Sequence, residues 1–471
     1  LGLCCKGYTH FICRRSPCVI HWDRESEIVM NSDSKAPVQE KETKAGNYFV
    51  ANYPPFSFWS PDAVPSFEEA LRRPSAAGNP LGVYVHIPFC RKRCHFCYFR
   101  VYTGAKSQEI RTYVEAAKKE LERYDRLPSI RDRKPSFVYF GGGTPSFLSR
   151  DQLQDLTDGL RSRLSWDEAS EITFECEPGT LNETKLRFIR DLGVTRLSLG
   201  VENFNARILE VNGRAHRTDE IHRAYSFARE IDFPQINIDL IAGMMDETDE
   251  NWQDSVEQAI ALAPDSITVY QMEVPFNTTI YKQMQDAGRV TAPVADWETK
   301  RRWVTYAFEK FEQSGYRVGS AYTVVKNDQS ADFRYRDALW RGADLLGLGV
   351  ASFGHINGVH YQNQHDMDGY LSALEKGDLP VYRAMVPDEE ETLIREFVLQ
   401  FKLGLIDPEY FLQKFGVNVA DKFQAPLLQM RNEGYLEQGD SPLRLTRSGL
   451  LEIDRLLHSF FLPRHRNVRY A

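Results

Sequence analysis

From Leu81 to about residue 310 the chain alternates between two textures. Short apolar runs are followed by longer segments with hydrophobic residues at helical spacing. "LGVYVHIPF" is a strand, and "SQEIRTYVEAAKKELERYDRL" has the helical period. "SFVYFGGGTPS" ends a strand in glycines, ahead of "SRDQLQDLTDGLRSRL", a helix with a Ser N-cap. "EITFECEPG" and "TRLSLGVE" flank the helix "NETKLRFIRDLG", and "RTDEIHRAYSFAREI" follows them. "QINIDLIAGM", the helix "ENWQDSVEQAIALA" and "SITVYQME" complete about six β-α units. Such alternation predicts a parallel sheet with helices outside. Polar residues and glycines gather just after nearly every strand. An open doubly wound sheet would concentrate them at one switch point. The pattern therefore favours an α/β fold built as a partial (β/α)6 TIM-like barrel.

The flanks differ from this core. Residues 1–45 read as a disordered leader, and residues 1–29 as an over-called start with translation from Met30. The rival for that leader is a zinc-binding extension using Cys4, Cys5, Cys13, Cys18, His10 and His21, whose spacings match no justified zinc module. Residues 46–80 are rich in aromatics and proline and read as irregular chain packed on the barrel at 81–315. Residues 316–386 suggest further strands and a glycine-rich turn. The tail, 387–471, suggests a small helical, winged-helix-like domain. From Asp388 onward it holds 13 acidic against 11 basic residues, a poor footprint for nucleic acid.

Composition narrows the class. The 471 residues are 42% hydrophobic and 26% charged with a net charge of -8, an ordinary globular balance. No apolar run approaches the roughly 18–20 residues that span a bilayer. Cysteines are nearly absent from the body outside one motif, which points to a reducing cytoplasm. That motif is "HIPFCRKRCHFCYF", with Cys90, Cys94 and Cys97. Three thiols on a loop after a strand suit a structural zinc site completed by His86 or His95, or an iron–sulfur cluster with one iron left open. The missing second pair of ligands favours the cluster. Asp239, a charge inside the apolar run "NIDLIAG", needs a partner, either ligand hydroxyls or an internal ion pair.

These stretches, with "FGGGTPS", "FECEPGT", "RLSLGVENF", "GRAH", "NIDLIAGM" and "LGLGVASF", resemble the oxygen-independent coproporphyrinogen III oxidase family of radical S-adenosylmethionine (SAM) enzymes. That family includes heme-chaperone and methyltransferase relatives. The resemblance spans roughly residues 80–465. It implies a [4Fe–4S] cluster on Cys90, Cys94 and Cys97, and cleavage of SAM to a 5′-deoxyadenosyl radical that takes hydrogen from substrate. It implies cofactor contacts at Tyr84, Phe96, Gly142, Gly143, Thr144, Glu175, Glu202, Arg214, Asp239 and Phe353. It also implies a tetrapyrrole substrate decarboxylated at its propionates, an electron donor such as flavodoxin or ferredoxin, and a monomer. Two departures stand out. Phe99 replaces a further cysteine common in the oxidase, and Glu202 replaces the usual Gln of "GVQ". Glu202 and Arg214 fall where a second SAM would bind. Two SAM per chain is the expectation unless the two charges pair with each other.

Overall fold

The structure is a computed structural model and describes residues 42–46, 48–327, 333–466 and 468. The reading of residues 1–29 lies outside them. Twelve strands make one sheet. They are β1 (Leu81–Ile87), β2 (Pro135–Gly142), β3 (Glu171–Cys176), β4 (Arg196–Glu202), β5 (Gln235–Ala242), β6 (Ser266–Gln271), β7 (Tyr316–Val318), β8 (Thr323–Lys326), β9 (Asp344–Leu348), β10 (Phe353–Ile356), β11 (Val359–Asn363) and β12 (Val381–Met385). Their order is β12-β11-β10-β9-β1-β2-β3-β4-β5-β6-β8-β7. The central run from β9 to β6 is parallel, and both flanks are antiparallel. Helices α1 (Ser107–Tyr124), α2 (Arg150–Arg161), α3 (Glu183–Asp191), α4 (Thr218–Glu230), α5 (Asp249–Leu262) and α6 (Trp297–Gln313) connect the parallel strands or follow the last of them.

The two faces of the strands have opposite chemistry. Val83, Val85, Val138, Phe140, Ile172, Phe174, Leu197, Leu199, Ile236, Ile238, Ile267 and Val269 point outward into one core with residues of α1–α6. Each such side chain contributes about 1.5–3 kcal/mol on burial, so this face holds the fold. The intervening residues point inward and are polar or aromatic. Register places Tyr84 beside Tyr139, Glu175 beside Ser198, and Asp239 beside Thr268. Asn237 Nδ2 donates to Ser198 Oγ and Asp239 Oδ1, and Ser266 and Thr268 hydroxyls donate to Asn237 Oδ1. The lumen is thus lined with hydrogen-bonding groups rather than filled with apolar side chains.

An aromatic layer packs at one end of the lumen. The helix Arg334–Trp340 sits there, its first N–H groups at Arg334 and Tyr335 bonded to the Glu171 carboxylate. Tyr335 packs on Tyr139 at 4.5 Å between ring centres, and Arg196 lies over the Phe333 ring. The open side of the sheet is crossed by the aromatic segment 46–80, which serves as the leader to the barrel. Gly46 bridges to Val274 past β6, and Ser60 bridges to Ala384 in β12. Val50 N–H donates to Asp454, Lys402 Nζ donates to Val50 O, and the Tyr53 hydroxyl bonds His465. One element departs from the expectation of irregular chain: Val64–Arg72 is a helix that buries Phe67, Ala70 and Leu71. Pro65 stands in its first turn, where no intrahelical N–H is needed, so a proline-rich stretch still starts a helix. The C-terminal region is helical, with Glu389–Phe401, Pro408–Phe415 and Gln424–Asn432 around the small pair Leu405–Ile406/Leu443–Arg444. No helix among the described residues is long and apolar enough to cross a membrane.

Candidate cluster and cofactor site

β1 delivers the cysteine loop to the open end of the lumen. Phe89–Cys90 pairs with Tyr102–Thr103, so the loop leaves and returns at one place. Neighbouring elements pin it. His95 N–H donates to Asn212 O, and its Nδ1 lies 2.9 Å from Val211 O. Arg93 Nη2 donates to Cys97 O and Asn277 O. Phe96 packs on an apolar cluster that includes Ile208, Met245, Met272 and Val274. Cys90, Cys94 and Cys97 are free thiols. Burial pushes Cys90 up to about 11 and Cys97 up to about 12, so a bound metal is what would hold them as thiolates. Cys176 is different: it faces outward into the apolar core, away from the lumen.

The donor set separates the two metal readings. No group of three His, Cys, Asp or Glu side chains among the described residues converges on one ion, which a tetrahedral zinc would need. His86 and His95 are turned to Tyr84 and to Val211 O. A cubane cluster puts each thiolate on its own iron, so convergence is not required of it.

The glycine edge of β2 borders the loop. Gly143 N–H donates to Ile87 O and Thr144 N–H to Phe89 O. A Cβ at Gly143 would lie 2.9 Å from both those carbonyl oxygens. Gly142 has φ of +112°, and a Cβ there would meet the His86 ring at 2.5 Å. Only glycine fits this corner. Thr144 Oγ1 donates to Cys90 Sγ at 3.4 Å. Glu175, on β3, accepts from the Tyr139 hydroxyl at 2.5 Å and from Gly142 N–H at 3.1 Å. Burial raises its carboxyl to about 7 despite those bonds. Tyr84 stacks on Tyr139 and bonds His86 Nδ1, whose ring has its Nε2 buried without a partner among the described residues.

Asp239 makes no ion pair among the described residues. Its partners are Ser198 Oγ at 3.2 Å and Asn237 Nδ2 at 2.9 Å, so the internal ion pair weighed for it does not form. Glu202 and Arg214 do pair, at 3.6 Å. Glu202 has φ of +65°, and the β4–β5 register slips between Gly200 and Glu202, which turns its side chain into the lumen. Burial raises its carboxyl to about 7, with Arg214 opposing. Arg214 Nη2 donates to Gly200 O at 2.5 Å and Nη1 to Cys94 Sγ at 3.2 Å. Phe353 lies elsewhere on the inner rim, packed on Phe56 and Trp59 of the leader.

Sequence reasoning missed a second ion pair. Arg91 grips Glu177 with Nε at 3.1 Å and Nη2 at 2.5 Å, and His216 Nδ1 lies 3.7 Å from the same carboxylate. The signal was present, because Glu177 stands two residues after Glu175 in "FECEPGT", just past the end of β3, and His216 completes "GRAH". Tyr98 was also missed, and Phe99 was noted only for the cysteine it replaces. They are exposed beside Cys97 and stacked at 4.4 Å.

Residues 84–259 match the radical SAM superfamily. The chain carries a radical SAM domain. Its relatives include the oxygen-independent coproporphyrinogen III oxidase of Pseudomonas aeruginosa, 27% identical over 85% of this chain and 90% of that protein. They also include the heme chaperone HemW of Bacillus subtilis, 28% identical over 78% of this chain and 96% of that one. The structure of coproporphyrinogen III oxidase (HemN) from Escherichia coli superposes with a TM-score of 0.76 at 24% identity, covering 89% and 99% of the two chains, and establishes the shared fold. A [4Fe–4S] cluster and SAM are the cofactors of this superfamily. The three free thiols, the side-chain-free corner at Gly142–Gly143 and the unpartnered His86 Nε2 and Arg214 Nε fit such groups.

Proposed function

We propose that this radical SAM protein is an enzyme of the coproporphyrinogen III oxidase type, acting on the propionate side chains of a tetrapyrrole. Cys90, Cys94 and Cys97 hold the cluster, and Gly142, Gly143, Thr144, Glu175 and Asp239 hold SAM. When bound, the cluster and SAM together supply a carbon radical able to abstract hydrogen from an unactivated C–H bond. The chain's own residues do the rest. Phe333 and Tyr335, packed on Tyr139, put an aromatic layer at one end of the lumen that helps keep water from it. Asp239, spaced by neutral hydroxyl and amide partners, is free to accept from ribose hydroxyls. The observation that carries the reading is the polar lumen opening directly onto the cysteine loop, beside the exposed Tyr98–Phe99 pair. That stacked pair offers a flat aromatic surface to a flat macrocycle.

The reading implies one SAM per chain, because Arg214 is already engaged by Glu202, Gly200 O and Cys94 Sγ. An electron donor of the flavodoxin or ferredoxin class completes it. A second reading, a heme chaperone, draws support from the match along almost the whole of HemW and from Phe99 standing where the oxidase commonly has a cysteine. Anaerobic incubation of the reconstituted protein with coproporphyrinogen III, SAM and reductant separates them. Decarboxylated product with 5′-deoxyadenosine is expected. Stoichiometric heme binding without turnover would replace the oxidase by the chaperone, and a methylated product would replace both. Alanine at Cys90, Cys94 or Cys97 should abolish the brown chromophore and its roughly four irons per chain. Alanine at Cys176 should leave the iron count unchanged.

A further inference from the structure

We propose that Glu202 and Arg214 form a charge-compensated pair that sets the reduction potential of the cluster through the Cys94 sulfur. The proposal rests on the cysteine triad holding the cluster, and goes beyond it by assigning the pair an electrochemical task. Arg214 Nη1 points at Cys94 Sγ from 3.2 Å, while Nη2 is anchored on Gly200 O. Hydrogen bonds to a ligand sulfur and nearby charge are the main protein levers on such a potential. A guanidinium there favours the reduced cluster, which carries one more negative charge. The Glu202 carboxylate, 3.6 Å from Arg214, offsets that positive charge and helps hold the guanidinium in place.

The local backbone is built around this contact. Glu202 occupies the left-handed region, unusual for a non-glycine residue, at the bulge that turns it inward. Gly200 leaves the space. A Cβ there would lie 3.1 Å from Glu202 Oε1 and 3.2 Å from Arg214 Nη2. Both side chains are close to fully buried, at 13% and 10% exposed, so solvent screens their charges little. Arg91 nearby donates to Glu177 and to Ala215 O, and to no cysteine among the described residues. Glu202 is accordingly a positioning residue, acting on the cluster through Arg214.

The test is an EPR-monitored redox titration of anaerobically reconstituted protein without SAM, which needs no turnover. Glu202→Gln keeps shape and removes charge. At a fixed potential near the wild-type midpoint, its reduced-to-oxidised ratio should rise at least threefold, about 30 mV for one electron. Arg214→Met should shift the ratio at least threefold the other way, and Arg214→Lys should recover part of that shift. Glu202→Asn, which tolerates positive φ, is titrated alongside and should move as Glu202→Gln does. Ratios within 1.5-fold of wild type in both Glu202→Gln and Arg214→Met would overturn the proposal. So would shifts of the same sign, or loss of the cluster in both Glu202 variants, which would make Glu202 an assembly residue. Wild-type protein lacking about four irons removes the cluster reading and this one with it. Four irons with unmoved potentials removes this one alone.

Discussion

Two arginine–carboxylate pairs flank the cysteine loop, and they are opposite in kind. Arg91 and Glu177 meet through two short hydrogen bonds at the rim, with the arginine side chain 35% exposed. Burial raises the Glu177 carboxyl, but the bonds from His216 and Arg91 outweigh it, and the group ends at about 2. Glu202 and Arg214 lie deeper, touch at 3.6 Å, and share no hydrogen bond. There burial wins, and Glu202 ends at about 7. The contrast teaches that proximity of opposite charges does not decide a carboxylate's state. The balance of burial against donors decides it: neutral donors leave Glu175 at about 7, whereas Arg91 and His216 bring Glu177 to about 2. One pair is a clasp that ties the start of the cysteine loop to the chain leaving β3. The other keeps a guanidinium held but not quenched beside a metal ligand.

The largest effect that tests this contrast is on stability. Glu177→Gln should destabilise the protein near pH 7 by on the order of 3 kcal/mol, about 1.4 kcal/mol for each unit separating about 2 from the ordinary 4.5. Because the folded group titrates low, its contribution is complete above about 4.5 and is lost as pH falls toward 2. Urea unfolding across that window should show wild type losing stability and the variant staying flatter. Parallel curves would reduce the clasp to a surface contact.

Asp239 is bonded by neutral partners and feels Arg196 only at a distance, so its effect belongs to ligand rather than fold. Asp239→Ala should weaken SAM binding by tenfold or more, on the scale of about 1.5–3 kcal/mol for a hydrogen bond to a charged group. The iron count should not change. Equilibrium binding to the reconstituted variant measures it, and unchanged affinity with severe unfolding would return Asp239 to the scaffold.

The smaller effect on stability is expected at Glu202. Its folded group titrates high, so the sign reverses. Stability is greatest below about 4.5 and declines as pH rises through about 7. Glu202→Gln should remove that decline and be the more stable protein at pH 6 by on the order of 2 kcal/mol, about 1.4 kcal/mol for each unit between the ordinary 4.5 and pH 6. The same unfolding series reads it. A steep loss in the variant at every pH would make this pair a second clasp. SAM stoichiometry sharpens the point: one per chain in wild type and in Arg214→Ala is expected. Two in wild type falling to one in the variant would reopen a second cofactor site.

Much of the site was legible because strand ends advertise themselves. The cysteine spacing, the glycine corner and the charge inside "NIDLIAG" each break an apolar run, and a broken run is visible without coordinates. The run of parallel strands from β1 to β6 followed from the β-α alternation, but β9, which pairs parallel with β1, lies outside that pattern. What the sequence hid was pairing. Glu177 and Glu202 are both acidic residues at strand ends, and nothing local separates the one that Arg91 grips from the one that Arg214 only approaches. The bulge that turns Glu202 inward depends on β5 as well as β4. The helix at Val64–Arg72 was hidden by its own proline, and Phe353 by the aromatic leader, which reaches it from nearly 300 residues away in sequence.

The position of β1 has a consequence for how the molecule comes to exist. This strand carries the cysteine loop, yet it lies in the middle of the sheet, between β2 and β9. β9 begins only at Asp344, which ion-pairs with Arg133 and accepts from Ser75. While the ribosome has yet to deliver that segment, β1 presents an unpaired edge, the kind that attracts foreign strands. A span such as 84–259, whole as a stretch of sequence, is therefore not a unit of folding. The cysteines emerge early in synthesis, but the sheet around them waits for a strand encoded in the last third of the chain, and sheets with such distant partners form slowly.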